Sequence, residues 1–431
     1  MLKKEKLDPY LLSFINYERY KYFPRKVDLG DYKKFLKRIG NPEKELSPSI
    51  IVAGTNGKGS TAAIISSILS NAGYKVGLFT SPHLLSYRER IKINGKNIPR
   101  NDFLRCINRL RPFLDNSYQK THRTFFEVLT TVSFLYFQTK KTDLNIFEVG
   151  LGGRLDATNV VDSIISIITP IGFDHTHTLG HTLSKIAYEK CGIIKKGGLV
   201  VSAKQHKNAL EIIKKVTREK QARLYLTDKD INISPIRIDE NGIEFLYQQN
   251  HYHLPLMGNF QLENLSTALL TIEKLKVKNI EVSKKNLADG IRRCKWYGRL
   301  QIIRKSPYII LDGAHNLSAM RVMLHSLKKI FPSKRLLVIF SCLVSKDRKG
   351  MASILEKVAD KIIITKIDSE RATPIPELLK VFNRHIYAPK NTDNAIALGL
   401  KLAKKKDIIL ITGSIYLIAE AYSVLKKKID F

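Results

Sequence analysis

A chain of 431 residues with 44% hydrophobic content is long enough for two or three domains with proper cores. Its formal charge of +34 favours anionic partners, yet the lysines are spread in short runs such as 404–406 and 426–428. With no basic tail and no aromatic-interleaved nucleic-acid module, small polyanionic substrates and a lysine-rich composition outweigh nucleic-acid binding. The four cysteines are scattered without a C-x-x-C pair, the N-terminus lacks an apolar signal run, and no apolar stretch is long enough to span a bilayer. These features exclude a disulfide framework, a zinc ribbon and a membrane helix, and lead us to expect a cytoplasmic protein.

The pattern predicts strands at 50–53, 74–80, 143–149, 163–171 and 198–203, with helices over 58–72, 124–138 and 182–194. That alternation is a doubly wound α/β pattern around a parallel sheet. Residues 230–256 read as short strands with polar breaks, an antiparallel flap, followed by helices over 260–275 and 282–293. CKWYGRLQII (294–303) reads as a junction. Beyond it strands at 308–312, 335–341, 361–366 and 407–412 alternate with helices over 318–331, 350–359, 392–405 and 415–428. The fold class is therefore α/β: an N-terminal doubly wound P-loop ATPase domain over 1–295 and a smaller, Rossmann-like α/β domain over 296–431.

SIIVAGTNGKGST (49–61) joins a buried strand to a helix through three glycines, a lysine and two hydroxyls. It departs from G-x-x-x-x-G-K-[ST], having Val52 at the first glycine position and Gly59 directly after Lys58. The context is nevertheless that of a phosphate loop. Glycines let backbone N–H groups of Gly54, Thr55, Asn56, Gly57, Gly59 and Ser60 converge on phosphate oxygens, the helix N-terminus adds partial positive charge, and Lys58 is a mobile cation. Ser60 or Thr61 is placed to cap the helix or approach a metal. The bland alternative is a tight turn with a solvated lysine.

Four further islands follow: TSPHLLSYRERIKING (80–95), FEVGLGGRLDATN (147–159), GFDHTHTLGHTLSKIAYEKCGIIKKG (172–197) and ILDGAHNLSA (310–319). Ligands of open α/β sheets bind beyond the carboxyl ends of strands, so the first three are expected to converge on the phosphate loop, with the fourth facing it across the junction. In this order and spacing, the islands resemble the folylpolyglutamate synthase family, including its bifunctional dihydrofolate synthase form, in the Mur-ligase superfamily. The resemblance spans residues 28 to 420. It implies a monomeric ATP-dependent ligase that activates a carboxylate as an acyl phosphate and joins it to L-glutamate. Dihydropteroate would yield dihydrofolate, and reduced folates would gain a γ-glutamyl tail; no nucleic acid or membrane is implied. A cell-wall Mur ligase would carry a whole substrate domain before the loop, where only 53 residues precede Gly54. A basic nucleic-acid-associated ATPase is the alternative from another class, and a synthase that only lengthens tails the alternative within the family.

Carried over residue by residue, the resemblance implies that Ser81, Glu148 and His175 hold magnesium, with His177 and His181 as neighbouring candidates. Two magnesium ions are implied, and Lys190 falls where family members carry a carbamate; the plain alternative is a surface lysine paired with Glu189. Asn264, Arg299 and Asp312 match nucleotide contacts, Asn264 otherwise being a helix N-cap. His315 matches a stabiliser of the acyl phosphate or tetrahedral intermediate, and Lys346 a lysine that helps close the site. TGSIYLIAE (412–420) resembles a terminal turn that helps hold glutamate. For the pterin, Asp28, Leu29 and Gly30 match a dihydropteroate-contacting motif, and Thr124, Leu155, Asp156 and Ala157 the rest of that pocket. Asp156 or Asp28 would accept from pterin N–H groups, or Asp28 simply caps a helix beginning near Asp31. The sequence departs from the family's usual pattern at Cys191, Phe260, Tyr297 and Leu317.

Overall fold

The apolar runs end where glycine or a polar cluster interrupts them, and a computed structural model, describing residues 7–16, 29–115 and 122–428, assembles them into three sheets. The largest contains β1 (Ser49–Ala53), β2 (Val76–Phe79), β3 (Ile91–Ile93), β4 (Lys96–Asn97), β5 (Leu144–Glu148), β6 (Ser163–Ile168), β7 (Leu199–Ser202) and β8 (Arg223–Leu226), in the order β4-β3-β2-β5-β1-β6-β7-β8. All neighbours are parallel except the β2–β3–β4 edge, which the sequence reading did not foresee because its last two strands hold three and two residues. β1 is buried along its whole length and pairs with β5 on one side and β6 on the other. The carboxyl end of β1 is therefore flanked by the loops that follow β5 and β6.

β9 (Ser234–Asp239), β10 (Gly242–Tyr247) and β11 (Asn250–Leu254) form the antiparallel sheet expected over 230–256. β12 (Gln301–Lys305), β13 (Tyr308–Asp312), β14 (Leu336–Phe340), β15 (Lys361–Ile364) and β16 (Ile408–Thr412) form the third, in the order β12-β13-β16-β14-β15. β12 falls in the stretch read as a junction; its residues are half-buried or exposed, so it lacks the apolar signature of a core strand. Helices Arg100–Leu114 and Lys207–Glu219 and strand β8 were likewise not anticipated.

Two compact units emerge: one takes residues up to Ile233 together with Glu263–Cys294, the other Ser234–Leu262 together with Lys295–Phe431. The small antiparallel sheet thus groups with the second unit. One reason is Glu240, whose carboxylate accepts from Tyr308 Oη at 2.6 Å and Lys305 Nζ at 2.9 Å.

Within the first unit, helix Phe125–Lys140 begins at a capping box: Thr124 Oγ1 accepts from Glu127 N and the Glu127 carboxylate accepts from Thr124 N. Its apolar side chains bury nearly all round, and Phe134 and Phe137 pack on Phe147 of β5 at ring separations of 5.5 and 5.9 Å. Each such ring contributes about 1.5–3 kcal/mol on burial. Just before the cap, the buried Arg123 guanidinium bonds Asp31 and Glu127 and lies over the Phe35 and Tyr32 rings. This cluster ties helix Leu29–Arg38 to the start of helix Phe125–Lys140. Replacing Arg123 by Met leaves two carboxylates without their cation in a low-dielectric site. Urea unfolding of Arg123→Met is expected to show a loss of about 3–5 kcal/mol; a loss below about 1 kcal/mol would mean that the guanidinium is dispensable.

Candidate active site

The loop after β1 is shaped by two glycines. Gly54 has φ +148°, and a Cβ there would overlap Thr169 Oγ1; Gly57 has φ +85°, and a Cβ there would overlap Asn264 Oδ1. The β6 loop fastens this turn: Thr55 N and Asn56 N donate to Pro170 O at 3.0 and 3.2 Å, and Thr55 Oγ1 donates to Gly172 O. Helix Lys58–Asn71 starts at Gly57 with no side-chain cap, so its first N–H groups are left for a ligand. Ser60 and Thr61 do not cap it. Both are buried in its first turn, and Thr61 Oγ1 has no hydrogen-bond partner. Ser67 of the same helix donates to Gly290 O at 2.6 Å, anchoring it from behind. Asn264 is an interior residue of helix Phe260–Leu275, not an N-cap, and lies against Gly57.

Two lysines converge on one carbonyl. Lys58 Nζ donates to Gly54 O at 3.2 Å and Lys190 Nζ to the same oxygen at 2.7 Å. Lys190 is 5% exposed, so it is not the surface lysine of the plain alternative; Glu189 instead pairs with Arg154. Burial, and next the charge of Lys58, pull the Lys190 ammonium down to about 7, against weaker support from Asp174 and Asp156. The adjacent Cys191 thiol is buried and pushed up to about 12 by desolvation, consistent with a packing role.

Glu148 ends β5 with a carboxylate 4% exposed that accepts from Ser81 N at 3.1 Å. Ser81 and Glu148 are thus in contact, beside the β1 loop. His175 stands beyond β6, on the other side of β1, in a left-handed backbone conformation, its Nε2 3.9 Å from Asp174 Oδ1. Among the described residues, no three His, Cys, Asp or Glu side chains gather closely enough to hold a metal by themselves. A cation here depends on hydroxyl and phosphate oxygens as well, which suits a hard ion. The buried Glu148 carboxylate, with Ser81 against it, is an oxygen donor of the kind such an ion takes. His177 and His181 pack ring to ring at 5.9 Å, and His181 is exposed.

Leu29, Phe125 and Ala157 meet in one apolar cluster, with Thr124 capping the adjacent helix and Leu155 half-buried nearby in sequence. Asp28 lies outside the described residues; Gly30 is the exposed second residue of helix Leu29–Arg38. Asp156 is occupied by its own loop. Its carboxylate accepts from Gly150 N, Leu151 N, Thr158 N and Thr158 Oγ1 at 2.6–3.0 Å, filling the four lone-pair positions of a carboxylate. Desolvation raises its pKa, partly offset by those bonds. It shapes the GLGGRLDATN turn instead of offering an open acceptor.

Sequence reasoning also passed over the way TSPHLLSYRERI is held. Glu89 accepts from Leu84 N, Leu85 N and Ser86 N at 2.8–3.0 Å, Thr80 N donates to Arg90 O, and the fully buried Arg90 donates from Nε to His83 Nδ1 at 2.9 Å. An R-E-R run between turn residues was the only available signal, and it reads equally well as a solvated charge cluster.

In the second unit, Asp312 ends β13 and accepts from Leu300 N and Ala314 N, both at 2.8 Å; burial raises its pKa and Arg299 opposes the shift. Arg299 Nη1 donates to Gly298 O and lies against Gly313. His315 Nδ1 is 2.9 Å from Gly313 O; a carbonyl only accepts, so Nδ1 carries the proton and Nε2 of the neutral ring is an acceptor. Lys346 is half-buried in the turn before helix Arg348–Val358.

The Mur ligase middle domain matches residues 52–272 and the Mur ligase glutamate ligase domain residues 298–415. The chain is 35% identical over 420 residues to the dihydrofolate synthase/folylpolyglutamate synthase of Bacillus subtilis, covering 94% of this chain and 96% of that one. It is similar to Escherichia coli FolC in complex with DHPP and ADP at a TM-score of 0.87 and 29% identity, covering 99% and 98% of the two chains. A bifunctional folylpolyglutamate synthase/dihydrofolate synthase with Mn, AMPPNP and L-glutamate bound superposes at a TM-score of 0.83 and 28% identity, covering 99% of this chain and 98% of that one.

The depressed Lys190 pKa carries a stability consequence. Between pH 7 and the ordinary lysine value of 10.5, the unfolded chain holds a proton that the folded chain does not. The penalty of burying the ammonium is full below pH 7 and is relieved as pH rises through that window. In metal-free, bicarbonate-free buffer, the melting temperature of the wild type relative to Lys190→Met is expected to rise by a few degrees from pH 7 to 9.5. A pH-independent difference would place Lys190 in a solvated site.

Proposed function

The chain belongs to the dihydrofolate synthase/folylpolyglutamate synthase family of Mur ligases, and from that premise we propose how its residues divide the work of an ATP-dependent ligase that joins L-glutamate to pterin carboxylic acids. The observation that carries this reading is the pair of lysines on Gly54 O beside an uncapped helix N-terminus. Two cations aimed at one carbonyl, one of them buried, leave the loop short of negative charge, and a nucleotide triphosphate supplies it. Gly57 to Ser60 take the phosphates through backbone N–H groups, Gly54 gives the turn its room, Thr55 and Asn56 hold it on Pro170 O, Lys58 Nζ follows the β and γ phosphates, and Asn264 supports the loop at Gly57. Arg299 and Asp312 are assigned to the nucleotide, and Lys346 to closing the site.

The acceptor carboxylate attacks the γ-phosphorus and ADP leaves, giving an acyl phosphate. The amine of L-glutamate then attacks the acyl carbon, loses a proton, and inorganic phosphate departs from the tetrahedral intermediate. His315 is assigned to this chemistry on resemblance: as an imidazolium it donates to developing negative charge, and as a neutral ring it accepts the amine proton. Ser81, Glu148 and His175 would hold a divalent cation, which when bound neutralises charge on the transferring phosphoryl group. Its neutral form being well populated at pH 7, Lys190 is suited to react with CO2, and the resulting carbamate would give a second magnesium a negative oxygen donor. Leu29, Gly30, Thr124, Leu155 and Ala157 border the pterin, with Asp156 fixing the turn that presents Ala157; Asp28 is assigned there on resemblance alone. The protein acts as a monomer on ATP, L-glutamate, dihydropteroate and reduced folates.

The direct test is ADP release with Mg-ATP, bicarbonate and L-glutamate, run separately with dihydropteroate, tetrahydrofolate and RNA, with mass spectrometry of each acceptor. Glutamylation of both pterins is expected. Glutamylation of tetrahydrofolate alone would remove dihydrofolate synthesis, and ADP release driven by RNA alone would overturn the ligase reading. Glu148→Gln keeps an acceptor for Ser81 N but loses the charge. Its kcat is expected to fall about 10²–10³-fold with the melting temperature almost unchanged.

A further inference from the structure

The second unit contains a buried hydroxyl with nothing to bond. Ser341 follows β14, is 0% exposed, and its Oγ has no hydrogen-bond partner. Such groups are rare in folded proteins because each forfeits its hydration without compensation. Ser341 lies outside every motif on which the family resemblance rests.

Its direction follows from the strand pattern. Leu336, Val338 and Phe340 enter the core formed with helices Leu317–Ile330 and Arg348–Val358, so Leu337, Ile339 and Ser341 face the opposite side of the sheet. Ile339 Cδ1 lies against Gly399 of helix Thr392–Leu402, which confirms that side. Helix Ile415–Lys428 shares it, tied on by Glu420, whose carboxylate accepts from Thr392 Oγ1 and Asp368 N. β16 lies between β13 and β14, so chain connections leave neighbouring strands toward opposite faces of the sheet here. That is where an open α/β sheet forms a crevice at its carboxyl edge.

The N-terminus of the 14-residue helix Ile415–Lys428 opens at the same edge. Ser414 Oγ accepts from Tyr416 N at 3.2 Å, a bond that uses the oxygen's lone pair and not its hydrogen. A Cβ on Gly413 would come within 2.5 Å of Ser341 O, so the two strand ends are in close contact. A partnerless hydroxyl, a second hydroxyl with a hydrogen to give and a helix N-terminus are together complementary to a carboxylate.

Taking the glutamate-ligase reading as given, we propose that Ser341 is a specificity-determining residue that donates its hydroxyl hydrogen to a carboxylate of the incoming L-glutamate, alongside Ser414 and the start of helix Ile415–Lys428. The hydroxyl's cost to the folded state is offset only when the amino acid is bound.

A structural and a ligand-binding hydroxyl respond differently to deletion. Removing a partnerless hydroxyl does not weaken the fold, so Ser341→Ala is expected to melt at or above the wild-type temperature. Steady-state ADP release by the full chain would be measured for wild type, Ser341→Ala and the volume-conserving Ser341→Cys, varying L-glutamate at saturating ATP and tetrahydrofolate. The expected result is a KM for L-glutamate raised about tenfold or more in Ser341→Ala and less in Ser341→Cys, with the KM for ATP within twofold. The stabilisation of the wild type by L-glutamate in a thermal melt should shrink in parallel. An unchanged KM for L-glutamate in an active Ser341→Ala enzyme would overturn the assignment and leave the ligase reading standing. A wild type that releases no ADP in response to L-glutamate would overturn both.

Discussion

The carbonyl oxygen of Gly54 is the point on which the first unit depends. It sits where β1 ends, and only a glycine fits there because Thr169 occupies the space of a side chain. Two ammonium groups reach it, one from the helix that the loop begins and one from a helix far along the chain. The arrangement stores unfavourable charge at the site where a phosphate or a carbamate would relieve it. Burial does the rest, drawing Lys190 toward neutrality, which an exposed lysine would not reach. The functional loop is therefore not a relaxed turn that happens to bind anions, but one whose resting electrostatics are incomplete.

In each unit the loops at strand ends are held by carboxylates that bond N–H and O–H donors. Asp156 gathers four donors in the turn after β5, Glu89 three in the loop after β2, and Asp312 two where β13 ends. Loops that must approach a ligand cannot be fixed by large apolar contacts, so charge-assisted hydrogen bonds fix them instead. Glu148, buried at the end of β5, accepts from Ser81 N and so joins the ends of β5 and β2. Ser341 in the second unit is the opposite case, a buried polar atom with no internal partner at all.

The overall charge of +34 acquires a use in this frame. ATP, L-glutamate and a glutamylated tail are all anions, and a cationic surface raises their local concentration and their rate of encounter. The buried Lys190 is a separate matter, because its effect arises from desolvation and is little screened by salt.

The sequence by itself determined the alternation of strands and helices, the phosphate loop and the order of the islands, because apolar periodicity and glycine turns are local properties. It marked Lys58 by type and position, and the family resemblance marked Ser81, Glu148, Lys190 and Asp312. It missed the β3–β4 edge and β12, whose short or half-exposed residues give weak periodicity, and passed over helices Arg100–Leu114 and Lys207–Glu219 although their apolar residues recur at helical spacing; it gave no sign that Ser234–Leu262 groups with the later unit. Only the tertiary structure decided which polar groups are already satisfied. Asp156 reads as an open acceptor until its four donors are seen, Lys190 leaves a surface lysine open as an alternative until its burial is seen, and Ser341 reads as the last residue of a strand until its hydroxyl is found without a partner. Hydrogen-bond satisfaction and desolvation depend on neighbours that are distant in the chain, and no local pattern of residues encodes them.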